Sequence, residues 1–465
     1  MPLSTTKGLE MGKKKLSTKW CVALVMGGVL PFAGAVAARA EEPVALTAAD
    51  DIVSAVADPK LQLLLGEVLQ RNPKLARMAA ESKAAEQRSP QVKALPQPTA
   101  SLTWFLLPPQ TRVGPQKAAV NLAQRIPWFG TLELEEQVAL WNAAASRARL
   151  EAARLEVVTD ARLDALELSF LDVESQLVGE ERTTLEHYAE LALARYASGV
   201  GLDQAVIRIQ AEITRTESRL LGIRSRRASV IARLNALRDR PQTTTLVIED
   251  LGDFPELVVP ADELRRRALD FRPEMVETQA RIEAATVDVD LADKAYNPQI
   301  VLGLNYGYVS RRDDEAGRLN PPEDNGQDIL GLSGGVSIPL WRKSLDAGSE
   351  ERIQMRLAAE ERRREVAARI DGELGDLLHR IPLLTEQVEL YDDVLIVQVR
   401  ESLRSAESAY AAGTVGALDL LDAERVLFQV RVAAERARTD LGIAFAGLEG
   451  VIAGPLMAVG EGVER

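Results

Sequence analysis

Cysteine is all but missing. Cys21 is the only one in 465 residues, and it lies inside an apolar N-terminal run. Without a second thiol, disulfides and thiolate metal sites are excluded. Histidine is nearly as scarce. His187 and His379 sit in helical contexts with no ligand-type neighbours at metal spacing, so no metal site is expected. No Ser-His-Asp set, glycine-rich phosphate loop or zinc motif can be found, so neither a cofactor nor a catalytic constellation is expected. Basic excess is absent too: the formal net charge is −13 and the pI about 5.0. Nucleic-acid partners need a concentrated basic surface, which argues against them. After the N-terminus no apolar run reaches the roughly 18–20 residues of a transmembrane helix. Aromatics make up only 4%. Ala, Leu, Glu and Arg dominate instead, the composition of long helices and coiled coils.

The N-terminus has the layout of an export signal over residues 1–40. MGKKKLSTKW is basic, CVALVMGGVLPFAGAVA is apolar, and Ala38-Arg39-Ala40 is a small-x-small cleavage site. Cys21 follows Lys-Trp rather than a small-residue lipobox, which argues against a lipid anchor there.

The rest of the chain is written twice. RNPKLARMAAESKAAEQ (71–87) resembles FRPEMVETQARIEAATV (271–287), and QPTASLTW (97–104) lines up with NPQIVLGL (297–304). NLAQRIPWFG (121–130) aligns with GGVSIPLWRK (334–343), and YASG (196–199) with YAAG (410–413). Four matches in one order make a tandem duplication, with units at 41–250 and 251–465. Each unit reads as helix, two strands, very long helix, tight turn, long helix. Leu134, Val138, Trp141, Ala145, Ala148, Ala152 and Leu155 follow 3-4 spacing, a heptad seam in a helix from about Thr131 to Ala197. Such a helix is about 100 Å long, a rod rather than a globular element. Gly199 and Gly413 fall where a helix end wants a left-handed residue. Each unit is therefore a long helical hairpin, with tips at 196–203 and 410–418. The joining stretch 241–260 reads as a small β or irregular segment.

Period-2 alternation marks strand pairs at 98–107 and 117–127 and at 298–309 and 328–340. Ile300, Leu302, Leu304, Tyr306 and Tyr308 share one face, opposite Gly303, Asn305 and Gly307. Leu330, Leu332, Val336, Ile338 and Leu340 oppose Gly331, Ser333, Gly335 and Ser337. About ten tilted residues span a bilayer. Apolar-out and polar-in is the pattern of a membrane barrel with a wet interior. Trp104, Trp128, Tyr306, Tyr308 and Trp341 cluster in or beside these strands and are candidate membrane-interface anchors. The competing expectation is a soluble β-hairpin with its aromatics in a core. Four strands cannot close a wet barrel, and open edges are not tolerated in lipid. Three copies would supply twelve strands.

The duplicated plan, the RNPKL start, the IPWFG and IPLW strand ends and the YxxG tips resemble the TolC family of outer-membrane efflux proteins, over essentially the whole chain after the signal. The resemblance implies a mainly α fold with a small β part: duplicated helical hairpins forming a periplasmic coiled-coil tunnel, and a trimeric twelve-stranded barrel in outer-membrane lipid. It implies a passive exit duct of a tripartite efflux or type I secretion system. Its partners would be two further copies, a periplasmic adaptor (membrane fusion protein) and an inner-membrane pump of the RND or ABC class. It also assigns Tyr196, Gly199, Val200, Gly201, Leu202, Tyr410, Gly413 and Thr414 to periplasmic tips that contact the adaptor. Asp419 and Asp422 match the aspartates that narrow the family's tunnel entrance. Residues three apart share a helix face, and charged rings select cations. As plain helix-start acids they would equally suit the helix dipole. The family's gate-closing Arg and Asp are replaced here by Val415 and Ala205, which leaves Arg208 as a candidate contact. The alternative from another class is a soluble periplasmic coiled-coil scaffold or adaptor, which would carry one hairpin interrupted by compact β domains.

Overall fold

The computed structural model describes residues 48–197, 203–248 and 257–456. The export-signal region lies outside them, as do residues 199–202 of the first tip.

First-turn prolines break the start of each repeat into separate helices, Pro59 and Pro73 in the first repeat and Pro273 in the second. In the first repeat these are α1 (Ala48–Ala55), α2 (Pro59–Arg71), α3 (Pro73–Glu86) and α4 (Arg88–Lys93). Pro59 and Pro73 occupy first-turn positions, where a missing N–H costs nothing. Next come β1 (Thr99–Trp104), β2 (Gln110–Thr111) and β3 (Gly114–Ile126), then α5 (Thr131–Ala197) and α6 (Asp203–Leu237). The second repeat runs α7 (Ala261–Phe271), α8 (Pro273–Lys294), β4 (Gln299–Val309), the short α9 (Glu315–Leu319), β5 (Ile329–Ser337) and α10 (Arg342–Glu389). Then follow a π-helical turn at Leu390–Leu395, α11 (Ile396–Ala411) and α12 (Ala417–Val451). The described joining stretches 241–248 and 257–260 form no strand.

The four main strands make an antiparallel sheet in the order β1-β3-β4-β5, with β2 added to β3 at the loop end. Register pairs Trp104 with Ala118 and Ala118 with Tyr308, and Tyr306 with Leu330. β1 and β5 are left as edges.

The two hairpins pack side by side through α5, which touches α6 along its own hairpin and α12 of the other. α5 carries 67 residues without a break. Its partner run in the second repeat contains Pro382 and then the π-helical turn, both of which disturb the backbone ladder. Along the heptad seam, Ala145, Ala148 and Leu155 are buried, while Leu134, Val138, Trp141 and Ala152 are half-covered. The buried set is wider than one seam because α2, α3, α6, α8 and α12 surround α5 on several sides. Ala153, Val157, Ala161 and Ala165 therefore lie buried as well.

Three apolar clusters result. The first joins α1–α3 to α5 and α6 through Leu65, Val68, Leu168, Leu171 and Leu234. The second is its counterpart in the second repeat, built on Leu264, Ile370, Ile381 and Leu448. The third lies near the tips, around Leu185, Val206, Ile209, Tyr410 and Leu420. Each fully buried aliphatic side chain contributes about 1.5–3 kcal/mol.

Asn72 ties the first cluster together. Its Oδ1 accepts from the Leu75 N–H at 3.2 Å, capping α3, and its Nδ2 donates to the Leu237 carbonyl at 3.0 Å. Replacing it by Ala removes the cap and orphans that carbonyl, a loss of about 1–3 kcal/mol. Asn72→Ala should lower the thermal midpoint of the detergent-solubilised protein, and an unchanged midpoint would refute the assignment.

Candidate functional site

The strands present an apolar face with nothing on it. Leu102, Trp104, Val120, Leu122, Leu302, Leu304, Tyr306 and Tyr308 are all exposed, and Leu332 reaches 88%. A soluble hairpin with an aromatic core would bury these side chains, so that expectation fails. The opposite face is small and polar. The Asn305 amide donates to the Ser333 hydroxyl at 3.0 Å, and a Cβ on Gly303 would stand 2.3 Å from the Ser333 Oγ. A side chain at Gly303 would push the Ser333 hydroxyl out of this position.

The aromatics fall at two levels. Trp104 and Tyr308 share a register level on either side of β3, with Tyr306 one repeat lower. Trp128, packed edge-on against Phe129 with centroids 5.8 Å apart, stands at the other end with Trp341, which is 82% exposed. Trp128 stands ten residues after Ala118, two beyond the end of β3, about 33 Å along an extended chain. Tilted by about 40°, that leaves a band near 25 Å, the height of the apolar belt on a membrane barrel.

The second tip is a complete helix stop. Gly413 has φ +76°, its N–H donates to the Tyr410 carbonyl at 3.0 Å, and the Thr414 N–H reaches the Ala409 carbonyl at 3.0 Å. The Thr414 hydroxyl donates to that same carbonyl at 2.9 Å. These are the paired bonds of a Schellman motif, which needs a left-handed residue at Gly413. Three residues on, the next helix is capped at Gly416, whose N–H donates to the Asp419 carboxylate at 2.9 Å. Asp419 and Asp422 are both exposed on the first turns of α12, and Asp422 stands 3.9 Å from Arg425. Asp419 is therefore a helix-start acid by its bond and a free-facing acid by its exposure.

Of the first tip, Tyr196 is exposed and Gly199, Val200, Gly201 and Leu202 lie outside the described residues. The two hairpins meet one residue earlier. The Arg195 guanidinium sits over the Tyr410 ring, 3.9 Å from its centroid, and donates to the Tyr410 carbonyl at 2.6 Å. Arg208 is exposed on α6. A signal for the Arg195 contact existed: Arg195 precedes the first YxxG where Ala409 precedes the second. Among the described residues no helix is long and apolar enough to cross a membrane, and no group of ligand-type side chains could hold a metal ion.

With this geometry, comparison with known proteins gives a consistent result. Residues 264–454 match the family described as outer membrane efflux protein. Over 396 residues the chain is 25% identical to the probable outer membrane lipoprotein SilC of Salmonella typhimurium, covering 80% of each chain. A membrane protein from Pseudomonas aeruginosa superposes with a TM-score of 0.73 at 17% identity, covering 87% of this chain and 95% of that one. The Campylobacter jejuni CmeC outer membrane channel gives 0.71 at 14% identity, covering 88% and 89%. The fold is that of an outer-membrane channel with a helical tunnel. The match to the outer membrane efflux protein family lies in the second repeat, and the fold is the one these outer-membrane channels share.

The Arg195–Tyr410 contact generates a test. A cation–π pair with a charge-assisted hydrogen bond holds by about 1–3 kcal/mol. Arg195→Ala should speed amide hydrogen exchange in residues 403–421 by about tenfold or more. Unchanged exchange there would mean the contact does not hold the tips.

Proposed function

We propose that three copies of this chain close one twelve-stranded barrel and one helical tunnel, forming the passive exit duct of a tripartite efflux or type I secretion system. The observation that carries the proposal is the sheet with an uncovered apolar face and two open edges, β1 and β5. In lipid that face is at home, but unpaired edge groups are not, and pairing β5 with the next copy's β1 removes them. Closure of this heterologous kind makes a ring.

The helices support the same closure. Ile207, Thr214, Leu221 and Ala228 lie exposed at heptad spacing on α6. Leu383, Leu390, Val394 and Val397 lie exposed in a second stripe along α10–α11. Two unpartnered seams per copy are what a closed ring of coiled coils requires. The repeats at 41–250 and 251–465 then contribute two tips per copy, six per trimer. Tyr196, residues 199–202, Tyr410, Gly413 and Thr414 form the surface for a periplasmic adaptor, which couples the duct to an inner-membrane RND or ABC pump. Trp104, Trp128, Tyr306, Tyr308 and Trp341 anchor the barrel at the two lipid interfaces. Asp419 and Asp422 form acidic rings at the tunnel mouth and favour cations. The Gly416 cap holds the Asp419 ring in place.

Purified protein in a planar bilayer should give stable, cation-preferring current steps. Asp419→Ala/Asp422→Ala should retain the steps and reduce the cation preference several-fold. An unchanged preference would remove the aspartates from the entrance, and no steps at all would overturn the duct.

The seam assignment is tested separately. Leu390→Glu/Val397→Glu places charge in the proposed contact and should shift the detergent-solubilised protein from trimer to monomer by light scattering. A trimer as stable as the parent would show that α10–α11 is not the seam.

A further inference from the structure

The apolar packing of the hairpins is interrupted at one height. On α5 the first cluster ends at Leu177 and Val178, and the tip cluster begins at Leu185. On α12 the corresponding limits of the fully buried apolar side chains are Phe428 and Leu421, with only half-buried Ala423 and Leu427 between them. Between them lie Glu181 of α5, 8% exposed, and Glu424 of α12, 9% exposed, with Thr216 of α6 buried beside them. A coiled-coil seam has no need of two buried acids at one level, and each lowers its stability.

The available cations do not balance the layer. On α6, Arg215 is paired with Glu212 at 2.6 Å. On α12, Arg431 is paired with Glu180 of α5 at 3.0 Å. Tyr188 of α5 donates to Glu407 of α11 at 3.3 Å. That leaves Arg219 of α6, 3.0 Å from Glu181, with its guanidinium over the Phe428 ring. Among the described residues no hydrogen bond reaches Glu424. The second repeat weakens at the same height. Glu181 stands fifteen residues before Tyr196, and Leu395, the last residue of the π-helical turn, stands fifteen before Tyr410.

We propose that this layer is a proton-sensitive joint: the helix ends beyond it pack tightly when Glu181 and Glu424 are protonated and loosen when both are ionised. The electrostatics agree. Burial pushes the Glu181 carboxyl up to about 7, with Arg219 opposing and Glu212 and Glu424 adding to the rise. Burial also raises Glu424, reinforced by Glu407 and opposed by Arg431. A carboxyl raised in the packed state takes up a proton there more readily than in the loosened state. Its stabilisation is therefore full in acid and is lost as pH rises through about 7. The proposal rests on reading the tips as the channel mouth: acidification would then hold the mouth shut, and neutral or alkaline conditions would ease its opening.

The test is amide hydrogen exchange across residues 403–421 in detergent, corrected for the intrinsic pH dependence of exchange. For the parent protein, the local opening constant should be about tenfold smaller at pH 6 than at pH 8. Glu181→Gln/Glu424→Gln keeps the shape of both side chains. It should abolish the dependence and leave the segment as protected at pH 8 as the parent is at pH 6. A parent opening constant that is flat between pH 6 and 8 would overturn the joint, as would a double variant that keeps the tenfold change. If the tenfold change is present in a protein that conducts no current, the joint stands and the channel-mouth reading is what fails.

Discussion

Everything in this molecule follows from one rule of the bilayer: no backbone N–H or C=O can be left without a partner in hydrocarbon. Four strands satisfy that rule internally between β1 and β3, β3 and β4, and β4 and β5, and break it at the two edges. In the proposed membrane setting the edges force association, and association sets the rest. A copy that must meet its neighbour along the strands must also meet it along the helices, which accounts for exposed seams on α6 and α10–α11 in otherwise well-buried hairpins. That no helix among the described residues is long and apolar enough to cross a membrane belongs to the same solution. Each strand alternates apolar and polar, so none of the strands signals a membrane by hydropathy alone.

The duplication supplies the frame, and the differences between copies supply the behaviour. Asn72 caps the third helix of the first repeat. Its counterpart Arg272 caps nothing through its side chain and instead spreads across Glu274 and Glu373, at 3.1 and 2.9 Å. The first long helix is unbroken, whereas the second carries Pro382 and a π-helical turn. Asp392 within that turn accepts from Arg438 of α12 at 2.8 Å, so the irregular backbone is pinned to its own hairpin partner. One copy is thus a stiff strut. The other has a weak point at the height where the strut carries its buried acid. The two repeats thus carry two unlike irregularities at one level, a buried acid on the strut and a π-helical turn opposite it.

Much of the architecture was legible because it is periodic. Strand alternation, heptads and the repeated YxxG each encode local geometry that tertiary context has little freedom to change, and the long helix from Thr131 to Ala197 could be bounded by its flanking glycine signals. The contacts between hairpins were not legible. Arg195 reaches Tyr410 across more than two hundred residues, and nothing in the RYASG stretch says which ring it will cover. The buried acids were hidden in a different way. Glu181 and Glu424 are two among the sequence's 69 acidic residues, and on a helix a solvated face is the ordinary explanation, so only packing distinguishes them. The π-helical turn has no sequence signature beyond Pro382 upstream of it.

Asp419 shows why a residue's structural and functional roles need not compete. Its bond to the Gly416 N–H satisfies a helix-end donor that would otherwise be left open, and the acid also sits well at the positive end of α12. The same bond removes rotamer freedom. An acid meant to form a ring at a tunnel mouth gains from being held at one position, because a charge that wanders over several ångströms presents a diffuse field to a passing ion. The interaction first suggested as the plain alternative is therefore the one that would make the ring effective. Asp422 lacks such a bond and stands near Arg425 instead, so of the two acids Asp419 carries the better-defined charge.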